Sequence, residues 1–311
     1  MLARYVRVLL VVELAAYAAV AYWLHLAFGW SYPALAALAL AIVGLSRLAF
    51  VIVSTSLGFI AGSPTPATHQ IGIGEAAAMV LRECRAVLAN NYYCLPWPEH
   101  ALRRDPEAKP MAGVPVILVH GYFGNRGYFR ALVRNLEARG VRPLFTPTFR
   151  AAFATIEDFA VDLHAEIERV AGATRQEKVV LVCHSMGGLA ARRYLCVHGG
   201  ARVRKLITVS SPHHGTVHAL LGAGANARQM QRGSAFIVAL CEKEAKSGPE
   251  CGATSIYSTH DNLVAPQETS RLAWAKNVAL PGFGHLEILG SGPLAALLVE
   301  ELREAGVDAS G

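Results

Sequence analysis

The sequence predicts an α/β domain, a mostly parallel central sheet with helices on both faces, preceded by a transmembrane helical hairpin. Three observations carry this expectation. Before residue 61 there are two long apolar runs. From about residue 114, short apolar runs alternate with amphipathic ones. Several of the short runs, such as Val179-Val180-Leu181-Val182, are apolar without interruption, as a strand buried on both faces of a sheet must be.

The first apolar run, Val8 to Phe28, is broken only by Glu13 and His25. It is longer than the roughly 7–15 residues of a signal-peptide apolar region, and a second run, Ala34 to Ile60, follows the turn Gly29-Trp30-Ser31-Tyr32-Pro33 and carries only Arg47. Residues 1–62 are therefore read as a membrane hairpin, 63–113 as a linker with one helix at Glu75 to Asn90, and 114–311 as the globular domain. Arg4 and Arg7 argue for a cytoplasmic N-terminus, and two crossings return the domain to that side. The pairs Cys84/Cys94 and Cys241/Cys251 argue the other way, since their spacing suits short disulfide loops in an oxidising compartment. Cys183 and Cys196 fall in apolar patterns and read as buried thiols. The net charge of +6 comes from scattered arginines, which argues against a nucleic-acid footprint and favours a membrane surface as the acidic neighbour.

Within the domain the expected strands are Val114–Val119, Arg142–Pro147, Lys178–Cys183, Val203–Ser210, Thr254–Ser258 and Asn277–Leu280. Helices are expected at Tyr128–Arg139, Thr155–Ala171, Met186–His198 and Leu294–Ala305. The alternation breaks between Pro212 and Ala253, where a helical pattern at Asn226–Lys246 marks a lid-like insertion at about 213–253.

The chemistry centres on Cys183-His184-Ser185-Met186-Gly187-Gly188, where a buried strand turns directly into a helix. A serine on such a sharp turn projects Oγ above the sheet edge, beside the amides of the new helix. Ser185 is the candidate nucleophile. The oxyanion donors are expected from the N–H groups of Met186 and of Tyr122, the latter in the loop His120-Gly121-Tyr122-Phe123-Gly124-Asn125 after the first strand. His285, between Gly282-Phe283-Gly284 and the last helix, is the candidate base. Asp261, in Ser258-Thr259-His260-Asp261 after a strand, is the acid that orients it, with Glu268 and Glu287 as substitutes. His120 reads as a structural loop histidine, His184 as pointing away from Ser185, and His213 and His214 as a wall of the site's mouth.

With these residues placed, the stretch from about Val114 to Ala305 resembles the α/β-hydrolase superfamily, and within it the bacterial triacylglycerol lipases and esterases. The resemblance rests on Val-His-Gly-Tyr at 119–122, His-Ser-Met-Gly-Gly at 184–188, Ser-Pro-His-His-Gly-Thr at 211–216, Asn-Ala-Arg-Gln-Met and Gly-Ser-Ala-Phe within 226–236, and Asp261 with His285. It implies a serine carboxylic-ester hydrolase working through an acyl-enzyme on an acyl-ester or lipid substrate, with no organic cofactor. Larger members bind a structural calcium through aspartates, and no matching set is found here. The hairpin itself lies outside the resemblance, and its two apolar runs make the expected location multi-pass in a membrane, a bacterial inner membrane, with the side of the domain left open by the arginine and cysteine arguments. An acyltransferase or thioesterase with the same triad, or an inactive hydrolase-fold binding module, are the alternatives.

Overall fold

The computed structural model describes residues 1–103, 105–149, 152–248 and 251–308. The elements run α1 (Leu2–Phe28), α2 (Tyr32–Ile60), α3 (Ile73–Ala89), α4 (Pro98–Ala101), β1 (Val116–Val119), α5 (Arg130–Glu137), β2 (Leu144–Phe145), α6 (Ile156–Thr174) and β3 (Val179–His184). They continue with α7 (Met186–His198), β4 (Val203–Val209), α8 (Ala225–Gln229), α9 (Ala235–Ser247), β5 (Gly252–Ser258), β6 (Lys276–Leu280) and α10 (Gly292–Glu304).

The six strands form one sheet in the order β2-β1-β3-β4-β5-β6, parallel throughout. Strand alternation divides the core. Ile117, Val119, Leu181 and Cys183 face α6, α7 and α9, while Val116, Leu118, Val180 and Val182 face α5 and α10. The sequence reads as uninterrupted apolar runs because both faces are covered. From β1 the chain passes first to β2 and then back across to β3, so the loops after β1 and β3 flank the point where strand order reverses. Crevices of this kind are where open parallel sheets bind ligands.

The differences from expectation have local causes. The second strand shrinks to Leu144–Phe145 between Pro143 and Pro147, which lack a ladder donor. The single helix expected over 226–246 is two, α8 and α9, separated at Gly233, whose φ is +70°. Parts of the segment expected to be a linker pack on their neighbours. Helix α3 packs Cys84 and Val87 against Val51 of α2. Glu99 and Asp105 bind the buried Arg126 at 3.0 and 2.6 Å, and Asp105 also accepts the Thr146 N–H at 2.7 Å. Cys84, Cys94 and Cys241 are free thiols, Cys84 filling the contact between α2 and α3, so the disulfide argument for an oxidising compartment finds no support in the fold.

Helices α1 and α2 are long and apolar enough to cross a membrane, with mean hydropathy of 1.7 and 2.4 over their most apolar windows. Part of each is nevertheless docked on the domain. Leu2 and Val6 of α1 pack on Leu95, with Phe123 alongside. Glu13 pairs with Arg47 of α2 at 2.9 Å and accepts the Tyr92 hydroxyl at 3.1 Å. From Arg47 onward α2 lies along α3 and reaches the loop at 261–262, where a Cβ on Gly58 would stand 3.2 Å from the Asp261 carbonyl oxygen.

The turn from β3 into α7 is equally tight. A Cβ on Gly187 would stand 2.5 Å from the Val119 carbonyl oxygen and 2.9 Å from that of His120, both main-chain atoms that cannot move aside. Gly187→Ala should lower stability by about 1–3 kcal/mol. Gly172→Ala on α6, with nothing within 4 Å, should be neutral or slightly stabilising. Thermal unfolding of the two variants checks this, and equal midpoints would contradict it.

Candidate active site

Ser185 joins β3 to α7 with φ 56° and ψ −130°, a positive φ that a residue bearing a Cβ rarely adopts and that costs roughly 1–3 kcal/mol. The elbow is held by the Ser185 N–H, which donates to the Val209 carbonyl at 2.9 Å, and by the Gly188 N–H, which donates to the Ser185 carbonyl at 3.0 Å. Close packing against the loop after β1 completes it. A Cβ on Gly121 would stand 2.7 Å from Ser185 Cβ and 3.1 Å from the Met186 nitrogen. Phe123, in the same loop, also has a positive φ of 49°. The main chain after β1 and the first amide of α7 thus converge beside the serine, where the sequence places the Tyr122 and Met186 donors. The Tyr122 side chain ties this loop to the insertion, because its hydroxyl donates to the Ala223 carbonyl at 2.8 Å and accepts the Ala223 N–H at 3.0 Å.

Asp261 and His285 are buried together. His285 Nδ1 lies 2.9 and 3.1 Å from the two carboxylate oxygens, and Asp261 Oδ1 also accepts the Leu263 and Val264 N–H groups, each at 2.8 Å. Burial alone raises the Asp261 carboxyl. The His285 charge, its hydrogen bond and the two main-chain donors outweigh that and hold it below the ordinary 3.8. For His285 burial works downward, and the Asp261 charge and hydrogen bond, with a smaller pull from Glu83, raise the imidazole above 6.5. With Nδ1 committed to Asp261, Nε2 is the ring nitrogen left for work in the cavity that His285 and Ser185 both line.

That cavity holds about 790 Å³ and is lined mainly by apolar side chains. One wall comes from the insertion, through Thr216, His218, Ala219 and Met230, and another from α2. His213 and His214 do not line it. His213 is buried with Nε2 2.9 Å from Thr208 Oγ1, and His214 Nε2 lies 3.1 Å from the Arg271 carbonyl. His120 is a loop histidine. Its Nε2 accepts the Phe149 N–H at 3.2 Å, so Nδ1 donates to the Gly121 carbonyl at 3.0 Å, and burial lowers its pKa to about 4. Of the substitutes for Asp261, Glu287 pairs with Arg82 at 2.6 Å and Glu268 sits in a short 3-10 turn away from His285 Nδ1.

The structure adds groups that sequence reasoning missed. His184 does point away from Ser185, and it thereby supports His285: Nε2 donates to the His285 carbonyl at 3.0 Å while Nδ1 accepts the Tyr128 hydroxyl at 2.9 Å. Asn262 Oδ1 accepts the His285 N–H at 2.9 Å, and its amide donates to Ser54 Oγ of α2 at 2.9 Å. Glu83 of α3 accepts the main-chain N–H groups of Leu286 and Glu287 at 3.0 and 2.8 Å. Gly284 is required there, because a Cβ would stand 2.6 Å from Glu83 Oε2. One signal for Glu83 was present in the sequence. It lies four residues from both Met79 and Val87, within the apolar stripe that α3 buries.

This parallel sheet with a strained strand-to-helix serine is the α/β-hydrolase fold, and residues 114–235 match the family described as alpha/beta hydrolase fold. The chain resembles the lipases and esterases built on it. Aspergillus fumigatus lipase B is similar over 66% of this chain and 56% of its own, with 22% identity and a TM-score of 0.57. The mature form of Bacillus licheniformis lipase BlEst2 is similar over 65% of this chain and 96% of its own, with 18% identity and a TM-score of 0.54. The matched stretch thus spans little more than half of the Aspergillus protein. The family match contains Tyr122 and Ser185 and ends before Asp261 and His285, whose proximity to the elbow comes from the fold.

Burial pushes the Glu83 carboxyl up to about 7 from an ordinary 4.5. A carboxyl raised in the folded state stabilises fully below the unfolded value and loses that contribution as pH climbs through the folded one. The stability of the wild type relative to Glu83→Gln should therefore fall between pH 4.5 and about 7, by at most about 3 kcal/mol, and be flat above. Thermal midpoints in detergent across that window check it, and a difference independent of pH would contradict it.

Proposed function

We propose that the protein is a serine carboxylic-ester hydrolase of the lipase and esterase type, held at a lipid bilayer by the α1–α2 hairpin and acting through an acyl-enzyme. The observation that carries this is the buried His285–Asp261 pair, 2.9 Å apart, sharing one apolar cavity with a serine on a strained elbow. Ser185 Oγ attacks the ester carbonyl as His285 Nε2 takes its proton, and Asp261 stabilises the imidazolium that forms. The oxyanion is received by the Tyr122 and Met186 N–H groups, the latter at the positive end of the α7 dipole. His285 returns the proton to the leaving alcohol, and water then repeats the sequence on the acyl-enzyme. The apolar lining of the cavity suits an acyl chain. These same features support an active enzyme over an inactive binding module, and hydrolysis over transfer is decided by whether water or an added alcohol accepts the acyl group.

Hydrolysis of p-nitrophenyl butyrate by the full chain in detergent is the direct assay, and Ser185→Ala should abolish it. Full activity in that variant would remove Ser185 from the role. The rate should rise with pH as His285 loses its proton, with a midpoint above the ordinary 6.5. Asp261→Asn should lower kcat about ten-thousand-fold and move the midpoint to lower pH, because the main partner holding the proton on His285 is gone. A midpoint that does not move would contradict the pairing.

A further inference from the structure

The second half of α2 turns two different stripes toward the protein. Leu48 and Val51 pack on α3, and Ser54 and Gly58 meet the loop at 261–262. Ser46, Ala49, Phe50, Val53 and Leu57, spaced three and four residues apart, lie along the cavity that contains Ser185 and His285. The catalytic end of this stripe is fixed by the Ser54–Asn262 hydrogen bond, one residue from Val53. From Ser54 to Ser46 the helix runs about 12 Å along its axis. Phe50 and Val53, which line the cavity, are also about half exposed, so its wall continues directly into the apolar outer surface of the hairpin.

We propose that α2 is a wall of the acyl site, and that it gauges the length of an acyl chain entering from the bilayer that holds the hairpin tip. The proposal rests on the reading of Ser185 given above. Domain contacts occupy α1 as far as Glu13 and α2 from Arg47 onward. The free tip, Leu14–Phe28 and Tyr32–Ser46, is about 22 Å long, shorter than a hydrocarbon core of about 30 Å. The tip dips into one face of the membrane, which leaves the domain on the surface and the α2 wall at the lipid boundary. A chain bound with its carbonyl at Ser185 then runs along Val53, Ala49 and Ser46 in turn, and its far end is still close to lipid.

The test uses the full chain in micelles with p-nitrophenyl butyrate, octanoate and palmitate. Val53→Trp, beside the Ser54–Asn262 contact, should lower kcat/KM for octanoate and palmitate relative to butyrate. Ala49→Trp, further out, should lower it for palmitate alone. Each methylene shut out is worth about fourfold, so selectivity losses of tenfold or more are expected. Equal effects on all three esters, or none, would overturn the proposal and leave the Ser185 reading intact, whereas butyrate hydrolysis that survives Ser185→Ala would overturn that reading. Unaltered protein provides a second measurement. A long-chain fluorophosphonate with a terminal diazirine should crosslink to residues 46–53, and crosslinks confined to the 217–230 wall would overturn the assignment to α2.

Discussion

The hydrogen bond between His285 Nδ1 and Asp261, 2.9 Å long, keeps its geometry because distant parts of the chain immobilise both of its ends. On the imidazole side, Asn262 holds the His285 N–H, His184 its carbonyl and Glu83 the next two amides. On the carboxylate side, the Leu263 and Val264 N–H groups share one oxygen of Asp261, while Gln267 donates to the Asp261 carbonyl at 3.0 Å. Little freedom remains at the imidazole except at Nε2. Two of these supports reach back to helices outside the matched family region, Glu83 on α3 directly and Ser54 on α2 through Asn262. The N-terminal segment is thus part of the candidate site's frame.

The electrostatics follow from that arrangement. Asp261 remains a carboxylate in a buried position because three donors converge on it, and the carboxylate in turn keeps a proton on His285 past the pH at which an exposed histidine would lose it. Glu83 is a second acid under the same loop, with main-chain donors but no cation in hydrogen-bond contact among the described residues, and it is pushed toward its neutral form. Two carboxyls near one imidazole are driven apart in pKa by the difference in their partners.

Much of the candidate site was legible in the sequence. The elbow at Ser185 was readable because a buried strand running straight into a helix leaves the intervening residue little choice of conformation. Asp261 and His285 could be proposed from their places after late strands, since a parallel sheet brings the ends of its strands to one edge. Two of the supports were hidden by distance along the chain, since His184 lies 101 residues from His285 and Glu83 lies 203 from Leu286. A lone Glu in an amphipathic helix also reads as a solvated position until something is seen to pack over it. The hairpin was legible as apolar length, whereas its docking was not. Hydropathy counts residues able to enter lipid and does not register that Glu13, Arg47, Ser54 and Gly58 are engaged by the rest of the chain.

In the function proposed, Ser185 is a nucleophile activated by the His285–Asp261 pair. The most direct measurement is covalent labelling of the folded protein with a fluorophosphonate, followed by mass spectrometry of the modified peptide. The expected result is one adduct per chain, on Ser185, lost when the protein is unfolded before exposure and strongly slowed in His285→Ala. An adduct on another serine, or no adduct on the folded protein, would contradict it.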